Sequence, residues 1–599
     1  MPTNVLYYGD TADLPRPVPL RAGPLELLYL AGDLRYIRLG DREVVRRIYW
    51  AARDADWGTA PNVIERETIE AGSDTFTILT VGHSRLGELA LAWQAELLGA
   101  ADGTLTVRVR ARAEGSFLAN RIGLCLLHPA PECAGAACRV THSDGSVEEG
   151  RFPVRIAPHQ PFLDIRAFAH EVLPGVWATA TFTGDIFEME DQRNWTDASW
   201  KTYSRPLALP IPYRVRQGER VEQSITLRLE GLAEPPKRVG RHPRASEAEP
   251  LAAHAAVAAP STAALPPLGL SLGAPLAGQE IDALRRLELG HLRVATATDD
   301  LGQAAAEARA LGLPLELALA AAASLDEAAA WLRRENLPLA RVLLGTTPEA
   351  DTLHSLALAR AEWSATPIGS GVDGYFTNLN RERPPATGAD LVFYSLNPQV
   401  HAFDNDSLVE TLPTQAETVR SAQALYPGLG VVVSPITLRP RKRPEPDPRQ
   451  PSLFAAGWTL GSIASLTLAG VASLTYYRTA GPHGILESGG AGSARLFPVY
   501  HLLAWLAGWR GALACPVSVN ETLRLQGLAL RRGGQQRLIL ANLGLQPQEV
   551  SVTGLGAAAR VSWLDERALP STPQELAVDA GRAIVPLWPY GLACIDSAL

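Results

Sequence analysis

What this chain has little of already narrows its class. Cysteine occurs five times in 599 residues, at Cys125, Cys133, Cys138, Cys515 and Cys594. The count is odd and no spacing matches a zinc pattern, which argues against a disulfide-framed scaffold and a zinc ribbon. Reduced, mostly buried thiols in a cytoplasmic protein are the expectation. Positive charge is in deficit, with a formal net charge of −8. Phosphate binding needs a basic face, so nucleic acid is not an expected partner. The first residues, MPTNVLYYGD, hold no basic stretch followed by an apolar core, and no secretory leader is predicted. Long apolar runs are scarce. Gly457 to Tyr477 goes 21 residues without charge. Its Gly, Ser and Thr content and a break near Gly470 predict a buried helix and then a strand, so no membrane partner is expected. Also missing are a phosphate-cradling Gly loop, a GxSxG nucleophile elbow, an HExxH helix and any His, Cys or carboxylate cluster at metal spacing. No cofactor is predicted and no metal ligand is assigned, with a divalent ion left open.

What is present describes a multidomain globular chain. Its 46% hydrophobic and 20% charged residues are ordinary for a soluble fold, and its length is too great for one core. Residues 1–234 alternate apolar and polar side chains, as in Thr104 to Arg112 and Ser224 to Leu229, with turns such as Ser143-Asp144-Gly145 between runs. An N-terminal antiparallel β-sandwich is predicted. Residues 235–264 are rich in Ala and Pro with no large apolar periodicity, and read as a flexible linker. Residues 265–511 alternate strand and helix patterns. Strands are predicted at 268–272, 291–294, 313–319, 340–345, 366–369, 389–394, 430–434 and 472–477, and helices at 325–334, 414–426, 453–465 and 497–507. Eight such units predict a (β/α)8 barrel, with a doubly wound sheet as the competitor. Residues 512–599 return to strands and predict a small C-terminal β-sandwich.

The densest chemistry lies in FEMEDQRNWTDASWKTY, Phe187 to Tyr203. Four carboxylates, Glu188, Glu190, Asp191 and Asp197, stand beside Arg193, Lys201, Asn194, Trp195, Trp200 and Tyr203. Rings that stack and charges that fix hydroxyls suit a polyhydroxylated ligand; the alternative is a solvated strand edge. Glu190 and Asp191 are candidate catalytic groups, and Asn194, Trp195 and Lys201 candidate substrate ligands. In a barrel, chemistry sits at the C-terminal strand ends. Arg293 and Glu316 alternate inward from the second and third strands and must pair, either as an internal ion pair or beneath substrate. The fifth unit offers Asp373, Asn378, Asn380 and Arg381. The sixth offers Asn397, His401 and Asp404, with Asp404 placed to orient a His401 base; the alternative is an Asx-turn and a surface histidine. After the seventh strand, Arg439, Arg441, Lys442, Arg443 and Arg449 would favour an anionic group, unless they are a solvated loop. The eighth brings Tyr476, then Arg478, His483 and Glu487.

The order of FEMEDQRNWTDASWKTY, HLRV, LELAL, FTNLNRERP, SLNPQVHAFD, SPITLRPR and TYYRTAGPHG, with GLCLLHP at 123–129, resembles the bacterial D-apionate lactonase family. The resemblance covers most of the chain outside the linker. It implies an N-terminal β domain, a barrel, a C-terminal β domain and the opening of the D-apionate lactone in apiose catabolism. No catalytic residue is carried over from it.

Three functional classes follow. A sugar lactonase would use a carboxylate or His401 to activate water, with Arg439, Asn378 and Asn397 as oxyanion or hydroxyl ligands. A glycosidase would need two carboxylates. The fourth strand ends Gly345-Thr346-Thr347 and the seventh Ser434-Pro435-Ile436-Thr437, without the glutamates usual there, which leaves a non-standard pair from Glu190 or Asp191 with Asp404 or Glu487. A carbohydrate-binding or inactive barrel is the third. A small carbohydrate or sugar lactone is the expected partner, and the oligomeric state is left open.

Overall fold

The computed structural model describes residues 2–232, 252–319, 325–345, 349–441, 443, 445–487 and 494–599. Contacts divide the chain into two compact units. One is Leu14–Arg193 with Ala198–Glu247; the other is Met1–Asp13, Asn194–Asp197 and Ala248–Leu599.

The first unit is the predicted sandwich. Two nine-stranded sheets, antiparallel throughout their pairings, enclose a core that includes Trp50, Trp93, Leu124, Phe168, Phe187 and Trp200. Alternation along strands such as Leu105–Ala113 sends apolar side chains to this core and polar ones to the opposite face. The segment 187–203 is a buried strand–turn–strand, not a solvated edge: Phe187–Asp191 pairs with Ser199–Tyr203, and every residue of both strands is buried. Phe187, Met189 and Trp200 enter the core. Glu190 faces Lys201 across the register, with an ion pair of 3.1 Å.

The second unit holds the barrel and the C-terminal sandwich. Eight parallel strands close: β1 (Leu268–Ser271), β2 (His291–Ala295), β3 (Leu315–Leu319), β4 (Leu339–Gly345), β5 (Ile368–Tyr375), β6 (Leu391–Leu396), β7 (Gly430–Ile436) and β8 (Ser473–Arg478). Each sequence-predicted strand and helix of the barrel overlaps an observed one. Closure rather than a doubly wound sheet follows from β1 pairing with both β2 and β8. The barrel interior carries charge. Glu316, with no exposed surface, accepts from Arg341 at 2.6 Å, from Thr475 at 3.0 Å and from the Ser434 hydroxyl, with His291 at 3.4 Å and Arg293 at 3.8 Å. Gly269 makes room for this cluster, since a Cβ there would lie 2.2 Å from the His291 ring.

The chargeless stretch is the predicted helix and strand. The helix Leu453–Leu468 is capped by Ser452, whose side chain accepts from Ala455 N. It is apolar all round because all of it but the last turn is buried. Gly457 and Gly461 let it approach Leu543 and Gln526 of the C-terminal sandwich closely. That sandwich has a six-stranded and a four-stranded sheet. One strand of the latter is Ala252–Val257, which corrects the linker reading: these residues pair with Gln548–Thr553 and Val517–Val519. Small alternating residues, Ala253 and Ala255, suit a thin sheet layer even without large apolar side chains. Residues 235–251 lie outside the described residues. No helix of the described residues is long and apolar enough to cross a membrane.

Candidate active site

The C-terminal strand ends enclose a cavity of about 170 Å³. Arg293, Asp373, Arg439, Arg441, Arg478 and His483 line it, with Asp299, Asp447 and Tyr477. Four arginines against three aspartates leave a positive surplus, which favours an anionic group. Arg293, buried in β2, reaches Asp373 Oδ1 at 3.2 Å, and Arg441 Nη2 reaches the same oxygen at 2.7 Å. Burial depresses the Arg293 pKa. Although its burial opposes the charge, the two guanidiniums hold Asp373 below the ordinary carboxylate range. Burial likewise works against Asp447, and the Arg449 guanidinium and Gln399 hold it low. Glu316, in spite of burial, is held at about 2 by its cationic and hydroxyl neighbours. Burial pushes His291 down to about 4, although the neighbouring Glu316 carboxylate works against this.

The basic loop after β7 is less free than its sequence suggests. Arg439 lies 3.6 Å from Asp447 and donates to the Pro446 carbonyl. Arg449 holds Asp447 in a two-armed pair and reaches Gln399. Arg443 is exposed. Lys442 lies outside the described residues.

A second constellation forms around His401 in the loop after β6. Its Nδ1 lies 2.6 Å from Asp197 Oδ2, 204 residues away in sequence. The short segment Asn194–Asp197 belongs to the barrel unit, which is how Asp197 arrives here. Trp195 meets His401 edge-on at 5.9 Å and Tyr375 at 5.7 Å, and Arg381 lies over the same indole at 5.8 Å. Asn194 Oδ1 accepts from Asn380 Nδ2 at 2.9 Å. Thr196 Oγ1 donates to the Asn397 carbonyl at 3.2 Å. Thr196 has φ of 70°, an uncommon and strained choice for a β-branched residue, and such strain clusters at functional turns.

Several expected roles change. Asp404 is not the carboxylate at His401 Nδ1; it caps the helix Asn405–Glu410 through Ser407 N at 3.0 Å. An Asp just before a helix is the ordinary N-cap pattern, which local sequence reading underweighted. Asp191 is clamped by Arg193, Nη2 to Oδ2 at 2.7 Å, with both side chains almost wholly buried, so the pair is structural. Tyr476 turns away from the cavity to Ser462 in the helix Leu453–Leu468. A register shift between β1 and β8 and a φ of 45° at Tyr477 bring Tyr477 to the lining instead. Glu487 is exposed and pairs with Arg495 at 3.3 Å. Asn378 donates to Glu382, and Asn397 Oδ1 caps its own turn at Gln399 N. Glu190 lies with Lys201 in the first unit. Sequence reasoning did not assign Asp197, Tyr375, Gln399, Asp447 or Tyr477. Asp197 was visible as a carboxylate among aromatics, but nothing in the sequence joined it to His401. Among the described residues, no three His, Cys, Asp or Glu groups converge as a metal site.

The chain matches three models of one family: the D-apionate lactonase N-terminal domain over residues 5–232, its TIM barrel domain over 271–511 and its C-terminal immunoglobulin-like domain over 522–595. It belongs to the D-apionate lactonase family. A D-apionate lactonase from Brucella anthropi is 33% identical over 91% of this chain and 96% of its own. Solved structures resemble it more distantly. A family 51 α-L-arabinofuranosidase from Bifidobacterium longum has a TM-score of 0.46 and 12% identity, covering 58% of this chain and all of its own. A family 51 arabinofuranosidase from Xanthomonas axonopodis pv. citri has a TM-score of 0.45 and 13% identity, covering 58% and 99%. Likeness at that level carries no argument about the chemistry of this lactonase-family chain.

Proposed function

We propose that the chain hydrolyses a sugar lactone of the D-apionolactone type to its aldonate, with His401 as general base. The observation that supports it is the His401–Asp197 pair at 2.6 Å, beyond a barrel strand end, in a chain 33% identical to a D-apionate lactonase. A carboxylate on Nδ1 fixes the imidazole tautomer, so the basic lone pair is on Nε2. Nε2 takes a proton from water as its oxygen bonds to the lactone carbonyl carbon. The carbonyl oxygen becomes an oxyanion, for which Arg381, over the Trp195 ring that His401 also meets, is the proposed partner. Collapse breaks the ring C–O bond, and the imidazolium returns its proton to the leaving alkoxide. The acid product ionises to the aldonate. Trp195 offers a ring face for the sugar carbons. A cytoplasmic setting is proposed with this reading, since the five cysteines are free and buried.

Acid release in weak buffer, over a panel of five-membered sugar lactones including D-apionolactone, with and without chelator, tests the activity. His401→Ala and Asp197→Asn are each expected to lower kcat by roughly 10²–10⁴-fold with little change in KM. Near-wild-type kcat in His401→Ala would remove His401 from the mechanism. No acidification across the panel would remove the lactonase reading.

A further inference from the structure

The N-terminal sandwich carries a second cluster of charge that lactone opening does not use. Strands Arg42–Asp54, Phe117–Pro129 and Ser199–Tyr203 lie side by side, with Arg53 opposite Arg121, Tyr49 opposite Cys125, and Cys125 opposite Tyr203. Alternation places these side chains, with Lys201 and Glu190, on the face away from the apolar core. Of the cations on this face, Arg47 pairs with Asp33 at 2.6 Å, and three others are nearly out of water: Arg53 is 8% exposed, Arg121 4% and Lys201 2%. Their partners are too few. Lys201 has Glu190 at 3.1 Å, and Arg53 donates to the Trp57 carbonyl at 3.2 Å. Arg121 has no hydrogen-bond acceptor among the described residues. Its guanidinium lies 3.5 Å from the Tyr203 ring centroid and 5.5 Å from that of Trp57, and its Nε is buried without a partner. Burial depresses the pKa values of Lys201 and Arg53, and the neighbouring Arg121 adds to the depression of each.

Charge this deep and this poorly paired costs stability, and a fold retains it where a ligand supplies the missing acceptors. We propose that this face of the N-terminal sheet binds a small sugar-acid anion, its carboxylate received by Arg121, Arg53 and Lys201. A guanidinium offers a planar fork that matches a carboxylate. Trp57, 40% exposed beside Arg121, offers a ring to the sugar carbons. Glu190 stays in the cluster and repels a dianion more than a monoanion, which favours a carboxylate over a phosphate. The proposal rests on the lactonase reading for the class of anion alone, since lactone opening yields an aldonate.

Isothermal titration of the full chain with sodium D-apionate and sodium D-ribonate tests it, with ribitol and inorganic phosphate as the neutral and dianionic probes. Aldonate binding is expected to be at least about tenfold tighter than that of either control. Arg121→Met is expected to weaken it by roughly ten- to a hundredfold, while the Tm without ligand stays level or rises. If Arg121→Met does not fold, Arg53→Met carries the same test. The site is overturned if neither aldonate binds, if both variants bind as tightly as wild type, or if phosphate binds equally well, which would mark an adventitious anion only. Binding is read without turnover, so a failed lactonase assay leaves this result standing, and failed binding leaves the lactonase reading standing.

Discussion

Neutralising Glu316 tests the energetics of the barrel interior. Its carboxyl is wholly buried and faces Arg341, Arg293, His291, Ser434 and Thr475. The fold lowers its pKa from 4.5 to about 2. At about 1.4 kcal/mol per unit, the ionised form contributes about 3 kcal/mol. Because the folded value is depressed, this contribution is complete above pH 4.5 and is lost as pH falls from 4.5 through 2. A second route gives a similar size: removing one partner of a buried ion pair costs about 3–5 kcal/mol, since Arg341 is left without its anion. Glu316→Gln keeps the shape and removes the charge. Urea unfolding followed by tryptophan fluorescence is expected to show a loss of about 3–5 kcal/mol at pH 7, shrinking below pH 4.5 as the carboxyl of the unfolded wild type takes up a proton that the folded one does not. His291 acts in another window. Burial depresses its pKa from 6.5 to about 4, so the stability tied to its neutral form is present above pH 6.5 and lost as pH falls through 4. Adding Arg341→Met to Glu316→Gln should recover part of the loss. A difference under about 1 kcal/mol at pH 7, or one unchanged from pH 7 to the acid limb, would refute the reasoning.

Two further stability predictions follow from the packing. Arg193→Met strands the Asp191 carboxylate, 1% exposed, and releases the carbonyls of Pro153, Val154 and Arg155. A destabilisation of about 3–5 kcal/mol in denaturant melts is expected, and a wild-type midpoint would show that Asp191 is not held as the distances indicate. Gly457→Val would put a Cβ 2.7 Å from Leu543 Cδ2 and 3.4 Å from Ala541 Cβ. A cost of about 1–3 kcal/mol is expected by calorimetry, with protease sensitivity rising first in the C-terminal sandwich.

The sequence by itself determined the architecture. Period-two alternation before residue 234 and strand–helix alternation after 265 are local properties, and each barrel strand formed where that pattern lay. The same locality explains Leu453–Leu468, whose lack of charge reads directly as burial of all but its last turn. The strand Ala252–Val257 was not legible, because alanines have no strand signature and its pairing is with residues near 518 and 550. Nor was the pairing within the candidate site. The types and many positions were visible: His401, Trp195, Arg381, Asn194 and Asn380 all stand in motifs that looked chemical. Which carboxylate meets His401 was decided by tertiary structure, since Asp404 is bound to its own helix start while Asp197 arrives from 204 residues away. The basic loop after β7 likewise kept its sequence-visible charge, but folding supplied Asp373 and Asp447 as partners. Hydrophobic periodicity acts between neighbours along the chain, whereas charge pairing acts through space, and the sequence does not encode those distances locally.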